Sequence, residues 1–154
     1  MRVRLRVLLP ALILVMVLSP VAARADHRPG PCNVHPGQDE SVVSHMKRII
    51  RCAVEEWDVG GGAERAICVA DAESHLNPDA GSNDGEYLGL FQHIATAWPD
   101  RYETWTRPGW DLPESAFSGR TNTIVTIRMV HENGWGPWHG VGDCFEQRDR
   151  RALR

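Results

Sequence analysis

Glu73 stands at the end of an apolar helical stretch and is followed by Ser74-His75-Leu76-Asn77-Pro78. A glycine-rich loop then returns to Gly89-Leu90-Phe91-Gln92. Ala66, Val69 and Ala70 precede Glu73 by seven, four and three residues, so a helix puts all of them on its face. Pro78 disfavours the α conformation at Asn77 and is expected to end the helix there. One side of the glutamate would then be buried and its tip left in a cleft. A free glutamate titrates near about 4.3 and is a poor acid at neutral pH. Burial raises that value, and a raised glutamate can protonate a leaving oxygen. Cleavage of a glycosidic bond needs such an acid, because an alkoxide leaves badly and the transition state is oxocarbenium-like. The competing reading is a helix-end glutamate that is simply solvated.

The elements that must hold Glu73 follow from periodicity and turn chemistry. Val42, Val43, Met46, Ile49, Ile50, Ala53 and Trp57 recur at helical spacing over 39–57, with Asp39, Glu40 and Ser41 as cap and first turn. Gly60-Gly61-Gly62 ends that helix, and a second is expected over 64–76. Residues 79–89 carry Gly81, Gly85 and Gly89 among Ser82, Asn83 and Asp84, which is turn chemistry around a short hairpin. The stretch from Gly89 to Trp98 is expected to be a short helix or turn ending at Pro99. The aromatic, proline-rich region 99–119 reads as loops and short helices. A last helix over Asn122–Glu132 carries Ile124, Val125, Ile127, Met129 and Val130, and Gly134-Trp135-Gly136-Pro137-Trp138 follows as a rigid turn. The fold class is mainly α: a small helical domain with a short loop or β-hairpin after the Glu73 helix.

The chain has 154 residues and a formal net charge of −3. Arg2, Arg4 and Arg6, the apolar run Leu8–Leu18 and Ala23-Arg24-Ala25 have the layout of a secretory signal peptide cleaved after Ala25. The apolar run is short for a membrane anchor, which needs about 20 residues. Losing residues 1–25, with four arginines and no acid, would take the net charge to −7. That balance argues against nucleic-acid binding. The expected layout is an irregular lead-in over 26–38, one domain over 39–146 and a charged tail over 147–154.

Cys32, Cys52, Cys68 and Cys144 behind a signal peptide read as two disulfides. No CxxC pair and no zinc spacing is present, so neither a metal nor any other cofactor is expected. Cys52 and Cys68 lie at equal distances from the Gly60–Gly62 turn. This favours Cys52 with Cys68 and Cys32 with Cys144, and Cys68 with Cys144 is the main rival.

The constellation resembles the lysozyme-like superfamily, in particular the soluble lytic transglycosylase domain and the goose-type lysozymes. That family shows a catalytic Glu followed by Ser, then Asn-Pro, a Ser and a Gly in the loop, and Gly-Leu-x-Gln. Those positions here are Glu73, Ser74, Asn77-Pro78, Ala80, Ser82, Gly85, Gly89-Leu90 and Gln92. Asn122 matches an Asn that opens a later helix, and the Gly-Trp-x-Pro-Trp ending is similar to secreted actinobacterial members. The match covers about residues 64–92 and 118–144. The resemblance implies Glu73 as general acid and then base, acting on the β-1,4 bond between N-acetylmuramic acid and N-acetylglucosamine in peptidoglycan. It implies that Ser82, Gly89, Leu90 and Gln92 shape sugar subsites, and that Asn122 caps its helix and faces the cleft. Trp135 and Trp138 would stack on sugar faces or else fill the core under the last loop. Tyr87 is a further cleft candidate. Peptidoglycan glycan strands are the expected partner, with no nucleic acid and no stable membrane span, for a secreted monomer.

Two features set the chain apart. Many actinobacterial members carry a cysteine directly before the catalytic Glu, where Ala72 stands here, and the cysteine is Cys68. A Tyr-Asn-Gly-type motif is absent from the last helix, where Met129-Val130-His131 stand. Two-carboxylate glycosidases need a second acid about 5 to 9.5 Å from the first. Asp79, Asp84 and Glu86 are candidates, none fixed by a pattern. The family's transglycosylases need one glutamate, the substrate's N-acetyl group assisting departure and its 6-hydroxyl closing an anhydro ring. This chemistry is favoured over a hydrolytic lysozyme, and a non-catalytic wall-binding module is the reading from another class. His75, His93 and His131 are expected to be surface or packing residues.

Overall fold

Ser41 caps the first helix, its hydroxyl accepting the Ser44 N–H at 3.2 Å. In the computed structural model, which describes residues 29–145, helix α1 spans Val42–Glu56 and α2 spans Gly62–Ser74. The expected signal peptide over 1–25 and the charged tail over 147–154 lie outside the described residues. Strands β1 (Tyr87–Leu88) and β2 (His93–Ile94) pair antiparallel, Tyr87 opposite Ile94 and Leu88 opposite His93. A 3₁₀ turn over Ala95–Ala97 leads into α3, Trp98–Trp105. Helix α4 spans Gly119–Asn133, and a second 3₁₀ turn covers Gly136–Trp138. The domain is mainly α with one small hairpin after α2, as the sequence predicts.

The core lies between α1, α2 and α4. Met46, Ile49, Ile50 and Ala53 of α1 meet Ala66, Val69 and Ala70 of α2 and Ile127 and Val130 of α4. Val42 and Val43, expected in the α1 stripe, are instead exposed. The buried residues of α1 begin at Met46, whose sulfur lies against Gly119 in the first turn of α4. A smaller cluster of Trp98, Ala116 and Val125 joins α3 to α4. Helix α4 is buried almost all round, including Thr121, Asn122, Thr123 and Thr126. The threonine hydroxyls at 123 and 126 donate to the carbonyls of Gly119 and Asn122, one turn back, at 2.7 and 2.8 Å. A helix that is polar in sequence can therefore run through the centre.

Several boundaries differ from the sequence expectation. Helix α2 stops at Ser74, before Asn77. His75 and Leu76 leave it in the left-handed region, with φ of 54° and 58°. The His75 N–H donates to Asp71 O and the Leu76 N–H to Ala70 O, which satisfies the last carbonyls, and Leu76 turns into the core. Pro99 does not end an element; it sits in the first turn of α3, where a missing N–H costs nothing. Ser118, not Asn122, caps α4.

The disulfide pairing expected from the hairpin is also corrected. Cys32 pairs with Cys52, and Cys68 pairs with Cys144. Small Ala66 and Ala70 fill the packed face of α2, and Cys68 points off that face toward the C-terminal segment. The first disulfide ties the lead-in to α1. Arg120 holds it as well, donating to Gly30 O at 2.5 Å and Pro31 O at 3.0 Å. Among the described residues no helix is long and apolar enough to cross a membrane.

Candidate active site

Glu73 lies in the last turn of α2 and lines a cavity of about 200 Å³ with Tyr87, Gln92, Ile94, Arg101, Pro137 and Trp138. It is half-buried, and loss of solvent raises its carboxyl above the ordinary 4.5. Among the described residues it is the one acid lining this cavity.

The Gly89–Gln92 turn, which brings Gln92 to the cavity wall, is fixed from several sides. The Ser74 hydroxyl, next to Glu73, lies 2.7 Å from Leu90 O and donates to it. Asn122 Oδ1 accepts the Phe91 N–H at 3.0 Å, and Asn122 Nδ2 donates to Ala116 O at 2.9 Å. Trp138 Nε1 donates to Phe91 O at 2.9 Å. The Gly89 N–H donates to Ala80 O at 2.7 Å. Gly89 has a φ of 73°, and a Cβ there would sit 2.5 Å from Asn122 Nδ2 and run into the Ala116 carbonyl. No other residue fits.

The predicted site residues therefore divide. Glu73, Tyr87, Gln92 and Trp138 come together at the cavity. Gln92 Nε2 donates to Gly89 O at 2.8 Å and Ala80 O at 3.2 Å. Both donors are engaged, so the group it can offer a ligand is its Oε1 acceptor. Leu90 and Asn122, expected at the subsites, are fully buried, and Gly89 is backbone spacing behind the wall. Asn122 neither caps its helix nor faces the cleft; it is the bracket that holds the turn. Ser82 is a turn residue, with its hydroxyl on Asp84 Oδ1 at 2.5 Å and accepting the Tyr87 N–H at 3.0 Å. Trp135 is buried and donates to Gly60 O at 2.8 Å, away from Glu73. Asp79, Asp84 and Glu86 do not line the cavity. The Ser82 hydroxyl and the Glu86 N–H hold Asp84 below the usual carboxylate range, an ionised turn residue.

Arg101 was not singled out by its sequence context. Its Nη1 donates to His93 Nδ1 at 2.8 Å. His93 is fully buried, edge-on to the rings of Trp98 and Trp138. Thr126 spends its proton on Asn122 O, so its oxygen accepts from His93 Nε2–H at 2.7 Å. The histidine is thus neutral with a bare Nδ1, and burial with the neighbouring Arg101 charge lowers its pKa to about 3. His93 is the packing residue expected, with an added role as a rest for Arg101. His75 and His131 are exposed.

Larger clefts lie elsewhere among the described residues. One of about 530 Å³ runs along α3 between Trp98, Tyr102 and Trp110. Another, of about 570 Å³, lies beside the Cys68–Cys144 disulfide, with Asp71, His75 and Asp143. Neither holds Glu73. Among the described residues no group of three or more His, Cys, Asp or Glu could hold a metal ion. Comparisons of the chain with protein-family models, with curated proteins and with solved structures returned no match.

Proposed function

We propose that the protein cleaves the β-1,4 glycosidic bond between N-acetylmuramic acid and N-acetylglucosamine in peptidoglycan, as a lytic transglycosylase. The observation that carries this reading is Glu73: a half-buried carboxyl raised by desolvation and, among the described residues, the one acid lining its cavity. A raised carboxyl is protonated at a pH where a solvated one is not, so Glu73 can deliver a proton to the departing glycosidic oxygen. Once ionised, it takes a proton from the sugar's 6-hydroxyl, which closes a 1,6-anhydro ring. With no second acid on the cavity wall among the described residues, the one-glutamate route is favoured over a two-carboxylate mechanism. The resemblance of the Glu73–Gln92 block to the soluble lytic transglycosylase domain supports the substrate class. The two disulfides fit an oxidising compartment, and so fit secretion to the wall.

Digestion of purified peptidoglycan with mass spectrometry of the soluble muropeptides tests the reading. The wild type should release fragments with anhydro ends, and Glu73→Gln should release at least about a hundredfold fewer. Reducing ends in place of anhydro ends would assign water as the nucleophile and make the protein a lysozyme. A wild type that releases nothing, or a variant that releases as much, would remove the enzyme reading and leave a wall-binding module.

A further inference from the structure

Arg101 is a half-buried cation at the cavity with no carboxylate partner among the described residues. The ion pairs among the described residues join Glu40 to His45 and Arg48. Glu73 shares the cavity but is not the counter-charge. A paired arginine would pull its carboxyl down, and desolvation instead raises it. The one side-chain partner of the guanidinium among the described residues is the neutral His93. That contact uses one of five N–H donors and fixes the direction of the fork. Burial works against the charge of Arg101 and lowers its pKa, yet an arginine stays cationic at any working pH. A cation stripped of part of its water, aimed by a buried and tautomer-locked histidine, favours an anion beside it.

We propose that Arg101 is a specificity residue that receives a carboxylate of the substrate next to the bond Glu73 attacks. This rests on the peptidoglycan reading, because that polymer offers two sources of such a carboxylate. One is the lactyl carboxyl of muramic acid, free only where the stem peptide has been removed. The other is the stem peptide itself, with its own free carboxylates. The first source would place the protein after an amide hydrolysis that strips the peptide from the glycan.

Binding to Glu73→Gln, measured by calorimetry, separates affinity from turnover. Four glycan oligomers serve as probes: free lactyl carboxyl, the same group as its methyl amide, stem peptides with free carboxylates, and the same peptides amidated. One acid form should bind about tenfold to hundredfold tighter than its amide, the range for a hydrogen bond to a charged group. Preference in the first pair assigns the lactyl source, and in the second pair the stem peptide. Adding Arg101→Gln should bring that ratio to within about twofold of one. If the double variant does not fold, Arg101→Lys decides, since a point charge without the planar fork should cut the ratio several-fold. Equal affinity in both pairs, no binding of any probe, or a preference that survives substitution of Arg101 overturns the proposal. Failure of the wild type to cleave peptidoglycan removes the enzyme reading, while these ratios still judge Arg101.

Discussion

Asn122→Ala separates a structural bracket from a sugar ligand. The substitution removes the acceptor of the Phe91 N–H and the donor to Ala116 O, at 3.0 and 2.9 Å. Asn122 is fully buried, so water does not replace either bond without opening the core. Each buried backbone group left unpaired costs about 1–3 kcal/mol, and two of them give roughly 4 kcal/mol. For a domain of this size, that corresponds to a fall in Tm of roughly 10–20 °C. Thermal and urea unfolding by far-UV circular dichroism, with the disulfides kept oxidised, reads it directly. The urea slope should stay constant, because the surface exposed on unfolding is unchanged. Asn122→Asp is the informative companion. It keeps the acceptor for Phe91 but turns an acceptor toward Ala116 O, and so should lose at least as much. A Tm within about 3 °C of the wild type, together with weaker glycan binding, would refute the bracket and restore Asn122 as a ligand.

The remaining predictions concern titration and crosslinks. Because the folded state holds the Glu73 proton more tightly than the unfolded chain, the group costs stability as pH rises above about 4.5. Glu73→Gln should therefore exceed the wild type in urea midpoint near neutral pH and match it in acid; no gain near neutral pH would contradict the buried-acid assignment. His93 behaves in the opposite sense, since its folded pKa is depressed from 6.5 to about 3. Its contribution is present above 6.5 and is lost as pH falls toward about 3, at about 1.4 kcal/mol per pH unit. His93→Gln should flatten that acid slope, and an equal slope in both proteins would show that His93 does not hold it. Sequence separations of 76 and 20 residues in the two disulfides give about 4.5 kcal/mol for Cys68–Cys144 and about 3.3 for Cys32–Cys52. Paired serine variants should follow that order in urea midpoint, and the reverse order would mean that loop entropy does not govern them.

The parts of this fold legible in the sequence are those set by short-range pattern. The stripes of α1 and α2, the turn-rich hairpin and the position of Glu73 on the α2 face all follow from spacing and turn chemistry. What was not legible depends on long-range hydrogen bonds. Asn122 sits where a cap is expected, yet Ser118 already caps the helix. Only the approach of Phe91, far along the chain, gives Asn122 its task. Leu90 and Gly89 belong to a block with a functional look, but one is core and the other is clearance for a carbonyl. Arg101 has no local signature at all. Its meaning arises from β2 placing His93 under it and α4 placing Thr126 under His93. The disulfides failed for a related reason: equal distance from a turn says nothing about which face of each helix is packed.

The buried polar groups concentrate behind the Glu73 cavity, and chemistry gives a reason for that. Ser74 and Trp138 each donate one hydrogen bond to a carbonyl of Leu90 or Phe91 and Asn122 accepts the Phe91 N–H, so the end of α2, the first turn of α4 and the C-terminal turn all converge on one short segment. Apolar contacts alone would permit small slides among these elements at little cost. Hydrogen bonds are directional, and buried ones are expensive to leave unmade, so the same slides would break them. In the proposed reaction, a proton donor would have to be held to within about half an ångström of its target, and the wall opposite would have to hold the substrate equally well. The desolvated Glu73 and the unpaired Arg101 both oppose folding at the place where they are useful. The satisfied network behind them supplies the offsetting stability and, because it is rigid, keeps either charge from relaxing out to solvent.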